Sequence, residues 1–166
     1  MPSPRNIPGF QIRMACAADA PVILAFIKNL AAYEKLSHEV VADEDQLRET
    51  LFGERPTAEV AIGYLQDKPV GFVLFFHNYS TFLGRPGIYI EDLFVEDSYR
   101  GRGFGRALLL YVARLAKARR CGRLEWSVLD WNEPAIGFYE KLGAVPMSEW
   151  TVFRVTGESL EKLADL

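Results

Sequence analysis

Across residues 99–106 the spacing of apolar residues changes period, and this limits the architecture of the 166-residue chain more than any other feature. Before it, residues 58–65, 70–79 and 88–95 are rich in β-branched and aromatic side chains, as strands are. After it, Phe104, Ala107, Leu108, Tyr111, Val112 and Leu115 recur at helical spacing until Cys121 and Gly122 interrupt them. The junction, Tyr99-Arg100-Gly101-Arg102-Gly103-Phe104-Gly105-Arg106, sets three glycines and three arginines where a strand hands over to a helix. An antiparallel front half thus leads into parallel crossover units behind.

The remaining elements fit that order. Phe10, Ile12 and Met14 alternate with polar residues as a first short strand. Asp19 and Pro21 mark a helix start, with Val22, Leu24 to Ile27 and Leu30 as its apolar face. Asp43 with Gln46 three residues on reads as a capping box, and Gly53 ends that second helix. Gln66, Asp67, Lys68 and Pro69 join two of the β-rich runs into a hairpin, and Gly84-Arg85-Pro86-Gly87 sets off the third. Behind the long helix the sequence predicts a strand at 124–129, a helix at 133–142 closed by Gly143, a strand-rich stretch at 144–155 and an amphipathic helix from Thr156. The fold class is mixed α/β: a central, mostly antiparallel sheet flanked by helices.

With 49% hydrophobic residues the chain has material for one core, so one domain is expected over 10–166 behind a flexible leader at 1–9. A net charge of -3 argues against nucleic acid as partner. No segment approaches membrane-spanning length, and the polar, proline-containing start is no signal peptide. Cys16 and Cys121 are too few for a disulfide scaffold and suit the reducing cytoplasm. His38 and His77 lack metal-ligand spacing, so no metal is expected.

The glycine-rich junction is neither a G-x-G-x-x-G fingerprint nor a loop closed by G-K-[ST]. Unpaired backbone N–H groups and the dipole at a helix start attract anions, and glycine permits close approach of phosphate oxygens. Residues 100–123 carry eight basic side chains and no acidic one, which suits a ligand with several phosphates. The competing reading is a glycine-rich connection that binds nothing.

These residues resemble the GNAT superfamily of acyl-CoA N-acyltransferases, whose R-x-x-G-x-G/A loop is matched by Arg100, Gly103 and Gly105. The segments Tyr89-Ile90-Glu91-Asp92-Leu93-Phe94-Val95 and Trp131-Asn132-Glu133-Pro134-Ala135-Ile136-Gly137-Phe138-Tyr139 extend the match. Within the superfamily the likeness is to the spermidine/spermine (diamine) and thialysine acetyltransferases, with Ala31-Ala32-Tyr33-Glu34 contributing. The resemblance implies acetyl-CoA as cosubstrate and a homodimer. It also implies that Leu93, Phe94 and Val95 meet the pantetheine arm, and that Arg100, Gly101, Arg102, Gly103, Phe104 and Gly105, with Arg106, hold the pyrophosphate. Asn132 and Tyr139 would complete the coenzyme side, and Tyr33, Glu34, Glu91, Glu125, Trp126 and Ser127 would border the amine.

Acetyl transfer to an amine requires a neutral nucleophile, stabilisation of an oxyanion and a proton for the departing thiolate. An alkylammonium, with a pKa of roughly 10, arrives protonated, so a carboxylate that pairs with it and then takes its proton is a reasonable device. Glu91 is the candidate; in a regular strand Asp92 faces the other way and does not share the role. Tyr139 is the candidate acid for the thiolate, against the bland reading of a core aromatic on one face with Ile136 and Leu142. Asn132 also reads as a plain helix cap. Glu34, Glu39, Asp43, Glu44, Asp45 and Glu49 outnumber Lys35 and Arg48, a negative field that would draw in a small cation if it borders the pocket. The reading is an N-acetyltransferase for a small cationic amine acting by direct transfer. Its competitors are a noncatalytic acyl-CoA sensor and an enzyme for a protein N-terminus or an aminoglycoside.

Overall fold

In the computed structural model, which describes residues 7–166, the front of the chain forms strand β1 (Phe10–Met14), helix α1 (Ala20–Tyr33) and helix α2 (Glu44–Phe52). Then follow β2 (Glu59–Leu65), β3 (Lys68–Ser80), β4 (Arg85–Val95), α3 (Phe104–Ala118) and β5 (Leu124–Trp126). Of the leader expected at 1–9, residues 1–6 lie outside the described residues. The five strands form one sheet in sequence order, antiparallel except for the parallel β4–β5 pair, so the expected mixed sheet is observed.

Alternation across the strands divides this sheet into two packed faces. Val60, Ile62, Phe72 and Phe94 form one cluster with Ala20, Ile23 and Phe26 of α1 and Leu47 and Leu51 of α2. Val73, Phe75, Ile88 and Ile90 are buried on the opposite face, where α3 packs through Phe104, Leu108 and Val112. Each such side chain contributes roughly 1.5–3 kcal/mol of burial. Arg119, which caps α3, donates two hydrogen bonds to Glu59 at 2.6 and 2.9 Å, fastening the helix end to β2. That hydrogen bonding holds the Glu59 carboxyl below its ordinary range.

The Asp43–Gln46 capping box is present in both directions, with α2 ending at Gly53 as expected. The β2–β3 turn is shorter than its composition implied. Gln66 and Asp67 alone make it, at φ of 48° and 64°, while Lys68 and Pro69 already belong to β3. Pro86 and Gly87, expected to break the chain, are paired in β4 opposite Tyr79 and Asn78. A Cβ at Gly87 would approach Asn78 Oδ1 to 2.3 Å, so any larger residue there would displace the Asn78 side chain.

The chain groups into two compact units, the first ending at Ser127 and the second running from Val128 to Leu166. In the second, α4 (Glu133–Lys141) starts at its cap Asn132 and is followed by Gly143 at φ 90°, as the sequence suggests. Helix α5 (Gly157–Ala164) follows Thr156. Two strand expectations fail: β5 stops at Trp126 rather than 129, and 144–155 contains no strand. A β-rich sequence becomes a strand only where another backbone completes its hydrogen bonds. Among the described residues no helix is long and apolar enough to cross a membrane.

Candidate active site

Strand β4 is the axis of the site. It pairs with β5 only through Ile88, Tyr89 and Ile90, opposite Leu124, Glu125 and Trp126. On its β3 side, Ile90 stands opposite Phe75 and Asp92 opposite Leu74, so Glu91 is an extra residue with no partner, a β-bulge. The bulge resets the alternation. Ile88 and Ile90 before it share a face with Leu93 and Val95 after it, whereas Tyr89 and Asp92 share the other face with Phe94. Bulges are frequent beside active sites because they re-aim side chains.

The expectation of a regular strand therefore does not hold, and Asp92 takes the face of Tyr89 and Phe94 instead of the one that strict alternation from Tyr89 assigns it. A signal was present: the apolar positions shift from even numbers (Ile88, Ile90) to odd (Leu93, Val95) across Glu91. Glu91 is exposed, while Asp92 is half-buried on the α1 face. Burial, reinforced by the charges of Glu91 and Glu34, pushes the Asp92 carboxyl up to about 6. Glu34 caps the end of α1, and burial raises its carboxyl as well. The structure thus brings three carboxylates together from two elements, two of them in surroundings that favour accepting a proton.

Arg100 ties this region to the glycine-rich turn. Its Nε donates to the Val95 carbonyl at 2.9 Å, its Nη1 pairs with Asp97 at 2.7 Å, and its guanidinium lies 4.3 Å from the Tyr33 ring centroid. The Phe94 ring lies beneath it as well, at 5.4 Å. This side chain braces the turn and the end of α1, while Arg102 lies over the rings of Tyr99 and Phe104 and Arg106 is exposed. Gly101 and Gly103 adopt φ of 72° and 89°, the left-handed region that disfavours side chains. The first backbone bond of α3 runs from Ala107 N–H to Gly103 carbonyl, so the N–H groups of Phe104, Gly105 and Arg106 have no intrahelical acceptor. A helix start of this kind fits a polyphosphate.

Glu125 is engaged on β5: it accepts from Asn78 Nδ2 at 2.9 Å and pairs with Arg123 Nε at 2.8 Å. Beside it, the Ser127 hydroxyl is 2.5 Å from the Tyr89 hydroxyl. Trp126 ends β5 opposite Ile90. In the second unit, Asn132 caps α4 by accepting from Ala135 N–H at 3.4 Å. Tyr139 lies on the same helix, half-buried, with its ring 5.3 Å from that of Phe138.

Comparison with known proteins accords with this arrangement. The acetyltransferase (GNAT) family model matches residues 27–144. An L-ornithine N5-acetyltransferase of Arabidopsis thaliana is 35% identical over 201 residues, covering 94% of this chain and 88% of its own. A thialysine N-epsilon-acetyltransferase of Bos taurus is 39% identical over 164 residues, covering 92% of this chain and 96% of its own. Among solved structures, an integron cassette protein from the mobile metagenome of V. cholerae matches with a TM-score of 0.80 at 26% identity, over 95% of this chain and 99% of that one. The chain belongs to the GNAT acetyltransferase family, within its diamine and thialysine group, and is an acetyl-transferring enzyme.

Proposed function

We propose that the protein transfers an acetyl group from acetyl-CoA to the primary amine of a small cationic molecule, a polyamine, diamine or lysine-like amino acid, by direct attack in a ternary complex. The observation that carries this reading is the bulge of β4, which sets the raised carboxyl of Asp92 beside Glu34 and Glu91. The names of two relatives, which specify N5 of L-ornithine and the epsilon nitrogen of thialysine, support a side-chain amine as acceptor. The family match to 27–144 runs from the first compact unit into the start of the second, which supports reading 10–166 as one functional domain.

Acetyl-CoA supplies the activated acetyl group as a thioester. The N–H groups of Gly103 through Arg106, with the exposed Arg102 and Arg106 side chains, hold its pyrophosphate, while the backbone of Leu93, Phe94 and Val95 meets its pantetheine arm and Asn132 completes that side. Tyr33, Glu34, Glu125, Trp126 and Ser127 border the amine. Glu91, exposed at the bulge, draws in the ammonium, and Asp92 takes its proton. The amine nitrogen then bonds to the thioester carbon and the carbon–sulfur bond breaks; the Tyr139 phenol gives its proton to the sulfur and is reprotonated, through water, by the second proton that the nitrogen sheds on becoming an amide, while Asp92 releases the first to solvent. A base with a pKa near 6 suits this task better than an ordinary aspartate.

Thiol release from acetyl-CoA is the test, across spermidine, putrescine, L-ornithine, thialysine, an aminoglycoside and a peptide. Turnover is expected on small cations and not on the peptide; coenzyme binding without turnover on any amine would make the protein an acyl-CoA sensor instead.

We also propose a cytoplasmic homodimer. In the second unit Trp150, Val152 and Phe153 are 75%, 81% and 91% exposed in a segment without secondary structure, apolar area that a second copy would cover. Both cysteines are free thiols, in keeping with a reducing compartment. Sedimentation equilibrium at twice the chain mass is expected; a monomer at micromolar concentration would refute the dimer.

A further inference from the structure

The face of the sheet that carries Asp92 continues along β3 and β4 as an aromatic surface. Phe76 and Tyr89 stand opposite each other on β3 and β4, with ring centroids 5.4 Å apart and planes inclined by 31°. Both are half-buried, unlike Phe72 and Phe75, which are fully buried. The Tyr89 hydroxyl is tied to Ser127, which fixes the ring and satisfies its polar end. Tyr89 and Asp92, three positions apart in sequence, would lie on opposite faces of a regular strand; because Glu91 is skipped at the bulge they share one face. Their separation along β4 is roughly 7–10 Å, from about 3.3 Å per residue less the shortening at a bulge. A carboxylate at one end of a fixed apolar surface of that length matches an alkylammonium, charged at its nitrogen and greasy behind it.

We propose that the rings of Phe76 and Tyr89 form the shelf that selects the acceptor, along which the unbranched aliphatic chain of a primary amine lies while its nitrogen is held at Asp92. This rests on the amine-acetyltransferase reading above. The shelf gauges the hydrocarbon: each methylene laid on the rings leaves water, and a chain of four to six carbons spans the distance from Asp92. Branched or strongly polar chains lose that contact, and the Tyr89–Ser127 bond keeps the ring from turning away.

The test is kcat/KM for a homologous series of straight-chain diamines of three to seven carbons, measured for the wild type, Phe76→Leu, Phe76→Ala, Tyr89→Leu and Ser127→Ala. CoA affinity is read in parallel by calorimetry to show that each variant is folded and loaded. In the wild type kcat/KM is expected to rise about two- to fourfold per methylene and to level off once the chain outruns the shelf. Phe76→Ala and Tyr89→Leu should flatten that slope, with the loss for the longer diamines falling on KM more than on kcat. Phe76→Leu, which keeps an apolar side chain, should flatten it less, and Ser127→Ala should weaken selectivity without reversing it. A slope unchanged in Phe76→Ala and Tyr89→Leu, or an equal loss at every chain length with CoA affinity retained, would overturn the shelf. Wild-type protein that binds CoA and acetylates no amine would overturn the acetyltransferase reading beneath it, an outcome the first measurement separates from the others.

Discussion

Replacing Tyr139 by Phe is expected to lower kcat by about 100- to 1,000-fold while leaving CoA affinity within a factor of about three, the range typical of losing a positioned general acid. The substitution removes one oxygen and keeps the ring, so the contact with Phe138 and the packing of α4 survive. Neighbouring Asn132 still caps the helix. The thiolate must then take its proton from water, and the carbon–sulfur bond breaks later on a higher barrier. Single-turnover mixing separates this from slow product release, because the defect must appear in the first turnover. A variant with kcat within twofold of the wild type would remove Tyr139 from the chemistry and return it to core packing.

The second large effect divides stability from catalysis at Asp92. Its carboxyl, raised from 3.8 to about 6 in the folded protein, holds its proton more tightly there than in the unfolded chain. The sign follows: the folded state gains stability below about pH 4 and loses it as the pH rises through 6. At neutral pH the buried charge costs about 2–3 kcal/mol. Asp92→Asn removes that cost, so its advantage over the wild type in thermal melts should be present at pH 7.5 and vanish near pH 4. The same change should reduce kcat/KM at least 100-fold. Wild-type kcat/KM should fall about tenfold per unit below pH 6 as Asp92 becomes protonated, and that limb should be missing from the residual activity of the variant. Equal melting behaviour of the two proteins across this pH range would show that Asp92 is not strained by burial.

Much of this was legible in residue order. The long helix α3 was readable from its period, α2 from the Asp43–Gln46 box, and the tight turn into α3 from glycines at a strand-to-helix junction. These depend on contacts within a few residues. The bulge was harder, because strict alternation is the natural assumption for a strand and only the shift from Ile90 to Leu93 contradicts it. The engagement of Arg100 with Tyr33 and of Glu125 with Asn78 was invisible for another reason: the partners are far apart in the chain and meet only through the sheet. The stretch 144–155 has strand composition without a strand, since pairing is a property of two backbones and composition describes one.

The position of the extra residue in β4 has a wider implication. With Glu91 skipped, the remaining residues from Gly87 to Val95 alternate without a break between the two faces, Tyr89, Asp92 and Phe94 on one and Ile88, Ile90, Leu93 and Val95 on the other. The hydrophobic layers therefore do not depend on that residue; a chain one residue shorter would assemble the same interior. What the insertion adds is local backbone freedom and a protruding acid where an acceptor would dock. The packed layers and the exposed acid thus occupy separate positions of the same strand, so a substitution at Glu91 can alter the surface charge at the bulge without disturbing the packing on either face.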